Sequence, residues 1–222
     1  MQPSELPLFH QISADGLADM RAQGFLTERR YRTGEWILHA GDSVSAMGIL
    51  LCGAVRIESL DLWGGRAVLS LLEAGQVFAE SYTLCREPLM VDAVCAKDAD
   101  ILFLHGAAAL DDRNRSAPWY LPLLRNLMLL SARKNLTLSE RIFCTSAKSV
   151  RERLMTYFSR QAVRAGGSTF TIPFDRQELA DYLNLDRSAV SRELSRMQRE
   201  GILQFRKNRF TIHRDDHALP DS

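Results

Sequence analysis

Between residues 187 and 199 a helical spacing carries four arginines and three serines: Arg187, Ser188, Ser191, Arg192, Ser195, Arg196 and Arg199. A guanidinium donates two parallel hydrogen bonds to an acceptor pair such as guanine O6 and N7. A serine hydroxyl beside it donates or accepts, and its methylene can touch a thymine methyl. Residues of these types on one helix face have the chemistry to read base edges in a DNA groove. The plain alternative is a face that only meets water, which more often mixes lysine with glutamate.

Such a face needs a buried opposite side. Val190, Leu194 and Met197 follow i, i+4, i+7 spacing and make an apolar stripe. Asp186 is expected as the N-cap, its carboxylate accepting from a first-turn amide, and Gly201 as the terminator, free to take positive φ. Upstream, "DRQELADYLNL" opens with Asp175 and Glu178 in capping-box spacing and buries Leu179, Ala180 and Leu183. Asn184 and Leu185 then turn the chain. Downstream, "ILQFRKNRFTIH" (202–213) predicts a hairpin with Lys207-Asn208 near its tip. Ahead of these lie an amphipathic helix over 147–164 (Val150, Leu154, Tyr157, Phe158, Ala162), a loop at 165–168 and a strand at 169–174. Helix, short turn, helix and hairpin make a winged helix-turn-helix.

Residues 119–143 predict a long helix. Leu121, Leu124, Met128, Ser131, Asn135, Leu138 and Ile142 alternate steps of three and four, an a/d seam with two polar members. Leu123, Leu127 and Leu130 form a neighbouring apolar row. One row suits the chain's own β domain and the other a second copy; the alternative is a single amphipathic helix on its own domain. Pro118 and Pro122 fit near the helix start. "FCTSAKS" (143–149) breaks the heptad and reads as a hinge.

The first half has another texture. Residues 1–28 predict short helices, with Ser13 capping a turn ahead of Leu17 and Met20. From about 29 to 105, apolar runs are cut by glycines: "EWILHAGD", "AMGILLCGAVRIESL", "RAVLSLLEAGQVF" and "MVDAVCAKDADILFLH". Short strands with regular punctuation predict a jelly roll or sandwich, with "DLWGGR" (61–66) as a hairpin tip.

The 222 residues carry a net charge of only +1, unevenly distributed. Residues 1–112 hold 8 Lys+Arg against 16 Asp+Glu, and residues 113–222 hold 20 against 11. A basic second half suggests a polyanionic partner. There is no apolar run long enough to span a bilayer and no basic-then-apolar secretory leader, so the expected address is the cytoplasm, without a membrane partner. Cys52, Cys85, Cys95 and Cys144 form no C-x-x-C pair. Those in or beside strands are expected to be buried structural residues, a redox or metal role being the alternative.

With these residues in view, the chain resembles the Crp/Fnr family of bacterial transcription regulators over nearly its whole length. "GEWILHAGD", "GQVFAES" and "RQELADYLNLDRSAVSRELSRMQREGIL" carry the likeness. It implies an α+β architecture: an N-terminal jelly-roll sensor domain (1–112), a dimerisation helix and hinge (113–144) and a C-terminal winged helix-turn-helix domain (145–222). It further implies a homodimer on double-stranded DNA, RNA polymerase as a partner, and no enzymatic activity. Arg187, Ser188, Ser191 and Arg192 fall on the family's base-reading positions. Arg196, Arg199, Arg206, Lys207 and Arg209 are candidates for phosphate contacts.

Two departures stand out. The family commonly has glutamate where Ser188 stands. Its cyclic-nucleotide binders carry an arginine and a serine or threonine about ten residues after a pocket glutamate; here Glu80 is followed by Met90 and Val91. A buried phosphate facing methionine loses its charge partner. Arg86 is the nearest cation, and Asn135 completes the candidate effector pocket of Glu80, Arg86, Met90 and Val91. Cyclic AMP is therefore not the expected signal. A small molecule or haem remains open, with His10, His39, His105, Met47 and the cysteines as possible ligands that no spacing singles out. An iron–sulfur role would need an N-terminal cysteine cluster that the chain lacks. A cupin-type metal enzyme would need an H-x-H pair, whereas His39 and His105 are isolated.

Overall fold

A computed structural model describes residues 1–60 and 66–213. The chain divides into two compact units between Ser131 and Ala132.

In the first unit, α1 (Ala14–Ala22) starts where expected, the Ser13 hydroxyl accepting from the Gly16 amide at 3.1 Å. Six strands follow: β1 (Leu26–Tyr31), β2 (Trp36–Leu38), β3 (Met47–Leu60), β4 (Arg66–Leu72), β5 (Val77–Phe78) and β6 (Asp92–Leu104). Short helices α2 (Glu80–Cys85) and α3 (Gly106–Ala109) flank β6. All strand pairs are antiparallel, in the order β1-β6-β3-β4, with β2 added to β6 and β5 to β3. The sheet begins at Leu26, slightly ahead of the expected start. The expected hairpin tip at 61–66 lies mostly outside the described residues.

Strands β3 and β6 are long because they are buried on both faces. Ile49, Leu51, Leu102 and Leu104 pack with α1 and the helix that follows the sheet. The alternate residues Leu50, Ile101 and Phe103 fill the other side with Val55, Phe78 and Cys95. Two-sided burial gives continuous apolar runs instead of alternation. The β3–β6 register shifts around Cys52 and Ala54. Gly53 sits at that bulge with φ +87°, where a Cβ would lie 2.2 Å from the Asp98 carbonyl oxygen, so only glycine fits.

Helix α4 (Tyr120–Ser146) runs three residues past the expected break at 143. The heptad pattern stops there but the backbone hydrogen bonds do not. Its first turns carry the buried row expected of Leu123 and Leu127, with Leu130 half-buried beside them. Asn126, buried within that row, donates to the Leu8 and His10 carbonyls at 2.9 and 2.8 Å. Trp119 is buried and donates to Asp19 at 2.6 Å.

The second unit contains α5 (Val150–Ala165), β7 (Thr169–Thr171), α6 (Arg176–Leu183), α7 (Arg187–Arg199), β8 (Leu203–Arg206) and β9 (Arg209–Ile212). Its sheet order is β7-β9-β8. Capping boxes at Ser149/Glu152 and Asp175/Glu178 start α5 and α6. Leu154, Tyr157, Phe158, Phe170, Leu179, Leu183, Val190, Leu194, Met197 and Phe210 form one core with Cys144 from the end of α4. The linker between α4 and α5 is thus confined to 147–149, a tighter hinge than expected.

Candidate nucleic-acid interface

Helix α7 has one buried apolar face and one exposed polar face. Val190, Leu194 and Met197 are fully buried, while Arg187, Ser188, Ser191, Arg192, Ser195, Arg196 and Arg199 are exposed. Gly201 follows it with φ +76°, as expected of the terminator. Asp186 occupies the N-cap, but its carboxylate makes none of the expected bonds to first-turn amides. The helix holds its start instead through packing of Val190 and the Asp186 carbonyl, which accepts from the Val190 amide at 3.0 Å.

The four arginines of α7 fall into two kinds. Arg187 and Arg192 make no side-chain hydrogen bond or ion pair among the described residues. Arg196 Nε donates to Glu200 Oε1 at 2.9 Å, one helical turn on, and Arg199 Nε to the Ser195 carbonyl at 3.4 Å. Arg196, expected to be available for phosphate, is therefore already paired with a carboxylate, because its i+4 neighbour is glutamate. Ser195 Oγ donates to the Ser191 carbonyl at 3.0 Å, leaving Ser188 and Ser191 as the hydroxyls without an intrahelical bond.

Sequence reasoning missed the arginines that tie the helix-turn-helix to α4, α5 and the hinge. Arg151 on α5 donates to Glu193 at 2.6 Å and pairs with Glu200 at 2.7 Å. Those carboxylates raise the Arg151 guanidinium above its ordinary value, the Glu193 hydrogen bond most of all, and the Arg196 bond depresses the Glu200 carboxyl. Arg153 donates to the Leu183 and Asn184 carbonyls at 3.1 and 3.0 Å, covering the end of α6, and to Ala147 in the hinge at 2.8 Å. Arg141, near the end of α4, donates to the Tyr182 and Asp181 carbonyls at 3.2 and 3.3 Å. The only signal in the sequence was an excess of arginine over lysine, which suits bonds to several carbonyls at once.

The hairpin tip carries Arg206, Lys207 and Arg209, all exposed and without a side-chain partner among the described residues. A cleft of about 500 Å³ between this tip and the start of α6 is lined by Phe174, Arg176, Phe205 and Asn208, among others. Arg176 lies half-buried there.

A buried apolar face, an exposed arginine–serine face and a three-stranded wing sit on one helix-turn-helix. Residues 152–219 match the family model for a Crp-like helix-turn-helix domain, and residues 28–111 match that for a cyclic nucleotide-binding domain. The cyclic AMP receptor protein of Thermus thermophilus is 30% identical over 200 residues, covering 89% of this chain and 88% of that one. The chain belongs to the Crp/Fnr family. A second Crp/Fnr relative, the transcriptional activator protein FnrA of Stutzerimonas stutzeri, is 26% identical over 90% of this chain and 80% of its own. Among solved structures, CprK in complex with OCPA shares the fold, with a TM-score of 0.62 at 14% identity over 88% of this chain and 91% of that one. This Crp/Fnr protein is thus a transcription regulator with a cyclic nucleotide-binding-type β domain and a DNA-binding helix-turn-helix. No described helix is long and apolar enough to cross a membrane.

The structure treats the other candidate residues unequally. Glu80 is buried at the start of α2, Val91 is half-buried, and Arg86 and Met90 are exposed, Met90 at 78%. Asn135 is exposed on α4 in the second unit. On the expected seam, Leu121, Met128, Leu138 and Ile142 are exposed, as are Ser131 and Asn135, but Leu124 is half-buried against its own domain's core. Leu129, Leu136 and Phe143, outside the expected seam, are exposed as well. Cys95 and Cys144 are buried, and burial pushes both thiols up. Cys52 and Cys85, in contrast to expectation, are exposed; the Cys52 thiol donates to Asp100 at 3.3 Å. Met47 is fully buried, His39 stacks on Trp36 at 4.7 Å, and His105 lies 3.4 Å from the Ser45 hydroxyl. Among the described residues no three His, Cys, Asp or Glu side chains group as a metal site.

Proposed function

We propose that this Crp/Fnr regulator acts as a homodimer on a palindromic operator, with α7 of each protomer in a major groove. Arg187 and Arg192 read guanines, with Ser188 and Ser191 beside them. Arg199, Arg206, Lys207 and Arg209 grip phosphates, and Arg196 joins them only by leaving Glu200. The observation that carries the reading is the pairing state of α7: Arg187 and Arg192 are exposed and have no side-chain partner among the described residues, whereas Arg196 and Arg199 are engaged.

Residues 113–144 supply the dimer contact. The exposed apolar side chains favour a seam centred on Leu121, Met128, Asn135 and Ile142. Leu138 lies on one flank, and Leu129, Leu136 and Phe143 on the other. Residues 1–112 receive the signal, and residues 145–222 bind DNA. The protein works in the cytoplasm, with RNA polymerase as its downstream partner and no catalysis of its own. The Thermus relative is named for cyclic AMP; here the expected phosphate-binding position is an exposed methionine, so the signal is another small molecule or a haem. Selection of operators from random duplexes with the purified protein tests the reading. It predicts inverted half-sites with centres about 34 Å apart. Recovery of no preferred sequence would overturn it.

A further inference from the structure

The wing tip is held in a conformation its own sequence disfavours. Arg206 pairs with Arg209, so Lys207 and Asn208 form a two-residue hairpin loop. Lys207 has φ +56°, in the left-handed region, at the first central position. Loops of this length favour glycine, asparagine or aspartate where φ is positive, because a longer side chain crowds the backbone there. A non-glycine residue stays in such a region when its surroundings over-determine it.

Three bonds supply that constraint. The Ile172 amide donates to the Asn208 carbonyl at 2.9 Å, and the Asn208 side-chain amide donates back to the Ile172 carbonyl at 3.1 Å. Arg176 Nη2 donates to the Lys207 carbonyl at 3.3 Å. The same guanidinium lies 4.7 Å from the Phe205 ring centre and 5.2 Å from that of Phe210. Arg176 has no carboxylate partner among the described residues, and burial lowers its guanidinium below the ordinary value. A half-buried cation without an anion is costly unless aromatic faces and a carbonyl replace its water. All three replacements here belong to the wing.

We propose that Arg176 is a positioning residue for DNA binding. Laid over Phe205 and Phe210 and bonded to the Lys207 carbonyl, it locks the wing tip so that Arg206, Lys207 and Arg209 meet a phosphate strand preorganised. This rests on the reading that the wing contacts phosphate. A planar, weakly hydrated fork is needed, because an ammonium cannot cover two rings and reach the carbonyl together.

The test measures operator affinity of the full-length protein across salt concentrations, together with amide exchange at Ile172. Arg176→Met should weaken binding about tenfold and flatten the salt dependence by about two phosphate contacts per protomer. It should leave base preference unchanged and speed exchange at Ile172. Arg176→Lys should act in the same direction and serves if the methionine variant does not fold. The triple variant Arg206→Gln, Lys207→Gln, Arg209→Gln reports on the wing itself. If the triple variant flattens the salt dependence and the Arg176 variants do not, the lock is wrong. If an Arg176 variant shifts base preference, the residue orients α6 and α7 and the proposal also fails. If the triple variant keeps the wild-type salt dependence, the wing does not meet phosphate and the underlying reading falls with it.

Discussion

Arg151 and Glu193 form a 2.6 Å hydrogen-bonded ion pair between α5 and α7, one residue away from Arg192, whose guanidinium has no partner among the described residues. It is the nearest charged tie to the proposed reading head, and Glu200 shares the same arginine. Arg151→Gln should lower operator affinity several-fold and lower the melting temperature. Glu193→Gln, which keeps a hydrogen-bond acceptor for Arg151, should retain more of both. Equal affinity of Arg151→Gln and wild type would mean that core packing of Val190, Leu194 and Met197 orients α7 unaided.

The two kinds of arginine on α7 should separate in binding titrations on an operator and its point variants. Arg192→Ala should cost about 1–3 kcal/mol per half-site and relax preference at one base pair. Arg199→Ala should weaken all sequences alike and make the salt dependence shallower. Uniform weakening by Arg192→Ala would show α7 gripping backbone without reading it.

Dimerisation should fail when the exposed face of α4 is charged. Met128→Glu combined with Ile142→Glu puts carboxylates on two side chains that are each 66% exposed, so the protomer's own core is untouched. Sedimentation should show monomers, with tight operator binding lost. Leu124→Glu would be a poorer probe, since Leu124 packs on its own domain. A dimer that survives the double change must be built elsewhere.

Cyclic AMP and cyclic GMP at millimolar concentration should alter neither melting temperature nor operator affinity. Met90, the residue proposed at the family's phosphate-binding position, is exposed. Calorimetry yielding micromolar binding would place the phosphate elsewhere, and Arg86→Ala would be the next variant.

Acid should destabilise the fold late. Asp19 is depressed by the Trp119 indole, Asp98 by the Thr33 amide and hydroxyl, Asp100 by Arg30 and Glu200 by Arg196. Depressed folded values mean that these carboxylates contribute fully above their unfolded values, 3.8 for aspartate and 4.5 for glutamate. That contribution is lost as pH falls through the lower folded values. Chemical unfolding should give constant stability from neutrality to about pH 5 and a decline below about pH 4. Asp19, Asp98 and Glu200 are exposed and Asp100 is half-buried, so the decline from them should be modest. A loss beginning near pH 6 would show that these carboxylates do not set the acid limit.

Much of this protein was legible as local pattern. The capping box at Asp175, the stripe of Val190, Leu194 and Met197, and the hairpin around Lys207-Asn208 are short-range features. Each needs only a helical or strand period and a turn, so residue order by itself determined the winged helix-turn-helix and the face it exposes. The two apolar rows on α4 were legible for the same reason. Residue order did not reveal that Asp186 would leave the first turn of α7 without a side-chain cap, or that α4 would continue to Ser146. Packing around Cys144 and Val190 outweighs those local preferences. It also left the partners of the arginines open. Arg151, Arg153 and Arg176 look alike in the sequence, yet one meets carboxylates, one backbone carbonyls and one phenylalanine rings. Long side chains reach groups distant in the chain, and only the tertiary structure decides which acceptors lie within reach.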